Sequence, residues 1–134
     1  MSALIEVADL VKVYPDGTRA VDDVSFDVRQ GEIFGFLGPN GAGKTTIIRI
    51  LVTLLPKTSG GAKVGGHEVA TDAEAVRRMI GYAGQFIGID IDLTARENLV
   101  LQGRLHGMTP QAAGRLAGEL LELMALADVG NKRA

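Results

Sequence analysis

Gly38-Pro39-Asn40-Gly41-Ala42-Gly43-Lys44-Thr45-Thr46 is the stretch that decides how this chain folds. Gly38, Gly43, Lys44 and Thr45 stand at the spacing G-x-x-x-x-G-K-[ST], the P-loop pattern. The spacing has a physical cause. Glycines let the backbone curl tightly and approach a phosphate, because no Cβ stands in the way. Consecutive N–H groups from Gly41 to Thr46 then point inward as an anion nest. A helix beginning here adds the positive end of its dipole. Lys44 supplies a mobile charge for β- and γ-phosphates, and Thr45 a hydroxyl for Mg²⁺. A glycine-rich turn capping an ordinary helix would explain neither the Lys44-Thr45 pair nor the apolar segments on either side.

Those segments predict strand, loop and helix in the order phosphate binding needs. Glu32–Leu37 is short, apolar and aromatic, and reads as a buried strand. Thr46–Leu55 is long enough for about three helical turns. Its β-branched residues would also suit a strand, and the P-loop arbitrates in favour of helix. Pro56 is expected to end that helix.

Composition bounds the function. The chain has 134 residues, enough for one modest domain with a core. Fourteen basic and 16 acidic side chains leave a net charge of −2, which argues against a nucleic-acid partner. With no cysteine there is no disulfide framework and no thiolate metal site, which fits a cytoplasmic setting. No apolar run approaches the ~20 residues of a membrane helix, so the chain is expected to have no membrane span of its own.

Before the P-loop the sequence reads as β. Ile5–Tyr14 and Ala20–Val28 alternate apolar and polar residues, with Val24, Phe26 and Val28 on one face and a turn at Pro15-Asp16-Gly17 between them. Ser59–Gly66 contains another short strand, and Thr71 with Glu74 has capping-box spacing before a short helix. Met79–Gln85 reads as a strand. From Thr94 the character is helical. Thr94 and Glu97 form a second capping box, Thr109-Pro110 an N-cap with proline at the first helical position, and Leu116, Leu120, Leu123, Met124 and Ala127 a helical stripe. Residues 1–93 are expected to form a β subdomain with part of a P-loop core, and 94–134 the beginning of a helical subdomain.

Taken together, these segments resemble the ATP-binding-cassette (ABC) transporter ATPases. The resemblance rests on the P-loop, on Val21–Val28 followed by Gly31–Leu37, on Gln85 at a strand end, and on Asp92–Leu99 leading into the helical part. Pro56–Val69 and the helices are further similar to daunorubicin-type drug exporters. The resemblance implies an α/β fold: a P-loop NTPase core, an antiparallel β subdomain and the start of a helical subdomain. It implies Tyr14 as the aromatic that stacks on adenine, Gln85 as a contact to Mg²⁺ or the attacking water, and Asn40 as a further phosphate contact. The cofactors would be ATP and Mg²⁺. The partners would be a separate transmembrane permease subunit and a second ATPase subunit that pairs on ATP binding, at the inner face of the cell membrane.

Other parts of such a cassette are not found in the sequence. No Asp-Glu pair ends a hydrophobic strand, and no Ser-Gly-Gly signature opens a helix. Thr58-Ser59-Gly60-Gly61 is followed by strand-like residues and reads as a turn; Leu123–Asp128 reads as helix; Ile89–Leu93 reads as a solvated acidic loop. His67, His106 and Arg77-Arg78 read as surface groups. The expectation is a truncated cassette that binds ATP and lacks the residues for efficient hydrolysis. A non-catalytic nucleotide-binding regulatory module is the alternative, and a small-molecule kinase is a third reading, opposed by the two strands before the P-loop.

Overall fold

The computed structural model describes residues 3–84 and 88–133. Contacts divide the chain into two compact units, Met1–Tyr82 and Ala83–Ala134. The first holds four antiparallel strands, β1 (Ala3–Val13), β2 (Arg19–Arg29), β3 (Ser59–Val64) and β4 (His67–Glu68), in the order β2-β1-β3-β4. It also holds helices α1 (Lys44–Leu51) and α2 (Ala73–Met79).

The expected alternation drives β1 and β2. Tyr14, Asp16 and Gly17 close the hairpin: the Tyr14 N–H donates to the Thr18 carbonyl at 2.8 Å and the Gly17 N–H to the Tyr14 carbonyl at 2.9 Å. Both strands are interrupted by an irregularity, with Asp9 and Asp23 at φ 48° and 55°. The break in β2 moves Val21 into the core beside the Val24, Phe26 and Val28 series. Leu10 and Ile50 lie fully buried among Val7, Val21, Ile47, Leu51, Ala62, Val64, Val69 and Val76. Each of the buried Val, Leu and Ile side chains contributes roughly 1.5–3 kcal/mol by leaving water.

Several sequence expectations change. Glu32–Leu37 is not a strand, and Ile33 is 100% and Leu37 96% exposed. A buried strand needs neighbours to take its backbone hydrogen bonds, and among the described residues none pairs with this segment. Phe34 and Phe36 instead close a three-ring cluster with Phe26, at centroid distances of 5.1–5.3 Å. Met79 ends α2, and residues 80–84 carry no strand for the same reason.

Ser59-Gly60-Gly61 is the start of β3 rather than a turn, pairing Gly61 with Ala8 and Ser59 with Val11. Gly60 is required there: φ is +82°, and a Cβ would lie 2.2 Å from the Asp9 carbonyl oxygen. The helix after the P-loop stops at Leu51, before Pro56, because Thr53 adopts φ 64°. Asp72, not Thr71, occupies the N-cap of α2.

The second unit contains α3 (Ala95–Leu105), α4 (Pro110–Leu123) and a short 3₁₀ turn, Ala127–Val129. Thr94 caps α3 in a full capping box, its Oγ1 accepting from the Glu97 N–H at 3.2 Å while Glu97 Oε2 accepts from the Thr94 N–H at 2.8 Å. The bond from the Thr94 N–H, and after it the Thr94 hydroxyl beside the carboxylate, hold the Glu97 carboxyl below the ordinary glutamate range. Thr109 caps α4 with Pro110 at its first turn, as the sequence indicates. The buried stripe of α4 is Ala113, Ala117 and Leu121, while Leu116, Leu123 and Met124 are exposed. Small residues let helices approach closely, so Ala113 and Ala117 take inner positions beside Leu121, while Leu116, Leu123 and Met124 stay outside.

Candidate functional site

The P-loop joins the unpaired Glu32–Leu37 segment to the N-terminus of α1. Gly41 and Gly43 both have φ 86°, and Ala42 between them does not enter the positive-φ region. With helical Lys44 following, the backbone alternates in handedness, the geometry that turns successive N–H groups toward one point. Among the described residues, no acceptor in the chain takes the N–H groups of Gly41, Gly43, Lys44, Thr45 or Thr46. The first turn of α1 contains no acidic side chain that would compete for them.

Gly43 is fixed by its neighbour as well as by its φ. It is buried, and a Cβ there would lie 2.2 Å from the carbonyl oxygen of Ala20 in β2. The start of β2 is thus pressed against the loop. Thr18, Arg19 and Ala20 line one cavity of about 360 Å³ together with Asn40, Gly41, Ala42, Gly43, Lys44, Thr45 and Thr46. Its charged lining residues are Arg19 and Lys44, both cations. Lys44 Nζ donates to the carbonyls of Gly38 at 2.5 Å and Pro39 at 2.6 Å, so its charge stays over the loop. Thr45 is exposed in the cavity wall. A cavity of about 380 Å³ in the helical unit is bounded by Leu99, Leu120 and Met124 and is apolar in character.

Tyr14 is placed outside this lining set but is joined to it, its hydroxyl 3.4 Å from Thr46 Oγ1. The sequence did not single out Lys12, although it is the one charged residue buried in the core among the described residues. Its Nζ donates to the Pro56 carbonyl at 2.6 Å and sits 5.4 Å from the centroid of the Tyr14 ring. Thr18, which leads into Arg19, is set by an Asx turn: its N–H donates to Asp16 Oδ1 at 2.9 Å. That bond, with help from the Thr18 hydroxyl, holds the Asp16 carboxyl below the ordinary aspartate range. Gln85 lies outside the described residues.

Of the other polar side chains, His67 lies in β4 with Nδ1 3.8 Å from Asp72 Oδ2, a neighbour its sequence context had not suggested. His106 caps the end of α3 in solvent. Arg77 reaches Thr53 Oγ1 at 3.0 Å, and Arg78 pairs with Glu74 on an exposed face. No group of three or more acidic, histidine or cysteine side chains among the described residues could hold a metal.

An inward-facing nest at a helix N-terminus, with a lysine over it and a threonine hydroxyl beside it, defines a P-loop nucleotide-binding fold. Residues 21–134 match the ABC transporter family, and the chain belongs to that family. It is 47% identical over 128 residues to the daunorubicin/doxorubicin resistance ATP-binding protein DrrA of Streptomyces peucetius, covering 96% of this chain and 38% of that protein. It is 39% identical over 126 residues to the bacitracin transport ATP-binding protein BcrA of Bacillus licheniformis, covering 94% and 40%. The fold is similar to a solved ATP-binding subunit of an ABC transporter, with a TM-score of 0.78 and 29% identity over 97% of this chain and 54% of that one. The chain thus spans about two fifths of the length of these curated relatives.

Proposed function

We propose that this chain is the nucleotide-gripping part of an ATPase subunit that couples ATP binding and hydrolysis to export through a separate membrane component. The observation that carries the reading is the cavity in which the Gly41–Thr46 backbone, Lys44 and Thr45 face one space. Backbone N–H groups would hold phosphate oxygens, Lys44 would exchange its loop carbonyls for the β- and γ-phosphates, and Thr45 would ligate Mg²⁺. Bound Mg²⁺ would supply charge neutralisation along the phosphates. Asn40 would add a side-chain contact at the cavity edge. Tyr14, held at Thr46, would stack on adenine, and Gln85 would contact Mg²⁺ or the attacking water.

Drug-resistance and antibiotic-transport relatives favour an exporter, and no described helix is long and apolar enough to cross a membrane. The full subunit would pair with a transmembrane permease and with a second ATPase subunit, at the cytoplasmic face of the membrane. The 134 residues carry no Asp-Glu pair at the end of a hydrophobic strand, so this chain would bind MgATP and hydrolyse it poorly. The same observation favours the second reading, a non-catalytic nucleotide-binding module.

Equilibrium binding of MgATP to the chain and to its Tyr14→Ala variant, with phosphate release measured alongside, tests the proposal. Expected are saturable binding, a loss of affinity of about 5- to 150-fold on removing the ring (roughly 1–3 kcal/mol of stacking), and little phosphate release. Unchanged affinity in Tyr14→Ala would count against the cassette reading. Turnover at the rate of whole cassettes would overturn the claim of poor hydrolysis.

A further inference from the structure

We propose that Arg19 is a second cation of the phosphate site, kept in place by Asp22 and transferred to the nucleotide's phosphates on binding. This rests on the nucleotide reading of the P-loop. The backbone contact between Ala20 and Gly43 puts the first residue of β2 at the mouth of the nest, and Arg19 lines the same cavity as Lys44. No carboxylate is among the lining residues. The triphosphate of ATP carries several negative charges, and one lysine leaves most of them to solvent and metal.

Arg19 Nη1 is 2.5 Å from Asp22 Oδ1, and the two side chains are 55% and 66% exposed. An exposed pair of this kind contributes little, because water and salt screen it. Breaking it costs little, whereas a guanidinium fork on phosphate oxygens gains charge-assisted, bidentate hydrogen bonds. Asp22 thus orients Arg19 without competing strongly for it. The sequence pattern does not reveal this role, since Arg19 lies outside the P-loop motif and meets it only through the fold.

The test is MgATP titration of the full 134-residue chain as wild type, Arg19→Ala, Arg19→Lys, Asp22→Asn and Lys44→Ala, at two ionic strengths. Arg19→Ala is expected to weaken binding about tenfold and to reduce its salt dependence, as loss of one charge-assisted contact requires. Arg19→Lys should recover part of the loss, because the charge remains without the fork. Asp22→Asn should tighten binding about two- to threefold by releasing the guanidinium, within the range of an exposed ion pair. If Lys44→Ala abolishes binding while Arg19→Ala stays within twofold of wild type, the role of Arg19 is refuted and the nucleotide reading stands. If the wild type binds no MgATP, the nucleotide reading falls and this one with it. Should Arg19→Ala unfold, Asp22→Asn carries the test, and affinity that is unchanged or weaker there refutes the exchange.

Discussion

Replacing Gly43 with Ala perturbs the loop at the point where its shape and its contact with β2 coincide. Gly43 has φ 86° and ψ 0°, and an alanine held there carries a left-handed penalty of roughly 1–2 kcal/mol. The added Cβ would also lie 2.2 Å from the Ala20 carbonyl oxygen. That atom is strand backbone and cannot rotate aside, so loop and strand must separate by about 1 Å, with an overpacking cost of roughly 1–3 kcal/mol. The total is about 2–5 kcal/mol, a large share of the ~5–15 kcal/mol that holds a small domain together. Gly35→Ala is the internal control, because nothing lies within 4 Å of its Cβ position. Urea unfolding followed by circular dichroism measures both variants. A 1 Å displacement of the nest should also weaken MgATP binding on the order of 100-fold, measured by calorimetry. If Gly43→Ala unfolds within about 0.5 kcal/mol of Gly35→Ala, the size of an ordinary surface substitution, the claim that β2 braces the loop is wrong.

Three other outcomes are expected. Lys12→Ala should destabilise the chain by roughly 1–3 kcal/mol in the same unfolding assay, because it removes a buried side chain together with its part-buried hydrogen bond to the Pro56 carbonyl and its packing on Tyr14; a neutral effect would show the contact to be incidental. The depressed Glu97 carboxyl contributes stability that is fully present above its unfolded-state pKa and is lost as pH falls through its lower folded value. Helicity of the second unit should therefore drop below the ordinary glutamate range, and Glu97→Gln should flatten that pH dependence; identical acid profiles would contradict the capping assignment. The chain is expected to self-associate through Ile33 and Leu37, which are almost wholly exposed on an apolar segment, and Ile33→Lys combined with Leu37→Lys should lower its light scattering; a wild type that does not associate, or equal scattering in both, would contradict this.

Local chemistry was legible in the sequence, and long-range pairing was much less so. Gly43, Lys44 and Thr45 could be read because their spacing alone fixes the loop. Thr94 with Glu97, and Thr109 with Pro110, could be read because a helix cap is completed within a few residues. Glu32–Leu37 misled because apolar content predicts burial, whereas strand structure depends on a partner elsewhere in the chain. Ser59-Gly60-Gly61 misled in the opposite sense: its glycine looks like a turn residue but serves the close approach of β3 to Asp9. In α4 the sequence showed a helical stripe of Leu116, Leu120, Leu123 and Met124, whereas the face that is buried is Ala113, Ala117 and Leu121, because which face turns inward is set by the partner helix. Lys12 and Arg19 were missed because one is joined to Tyr14 and Pro56, and the other to the P-loop cavity, only by folding.

The central claim is that Gly38–Thr46 grips the phosphates of a nucleotide through its backbone and Lys44. Calorimetric titration of MgATP into the wild-type chain and into Lys44→Ala, both checked for intact secondary structure, tests it most directly. One saturable site is expected in the wild type, and its loss in the variant. No binding in the wild type, or equal binding in both, would contradict it.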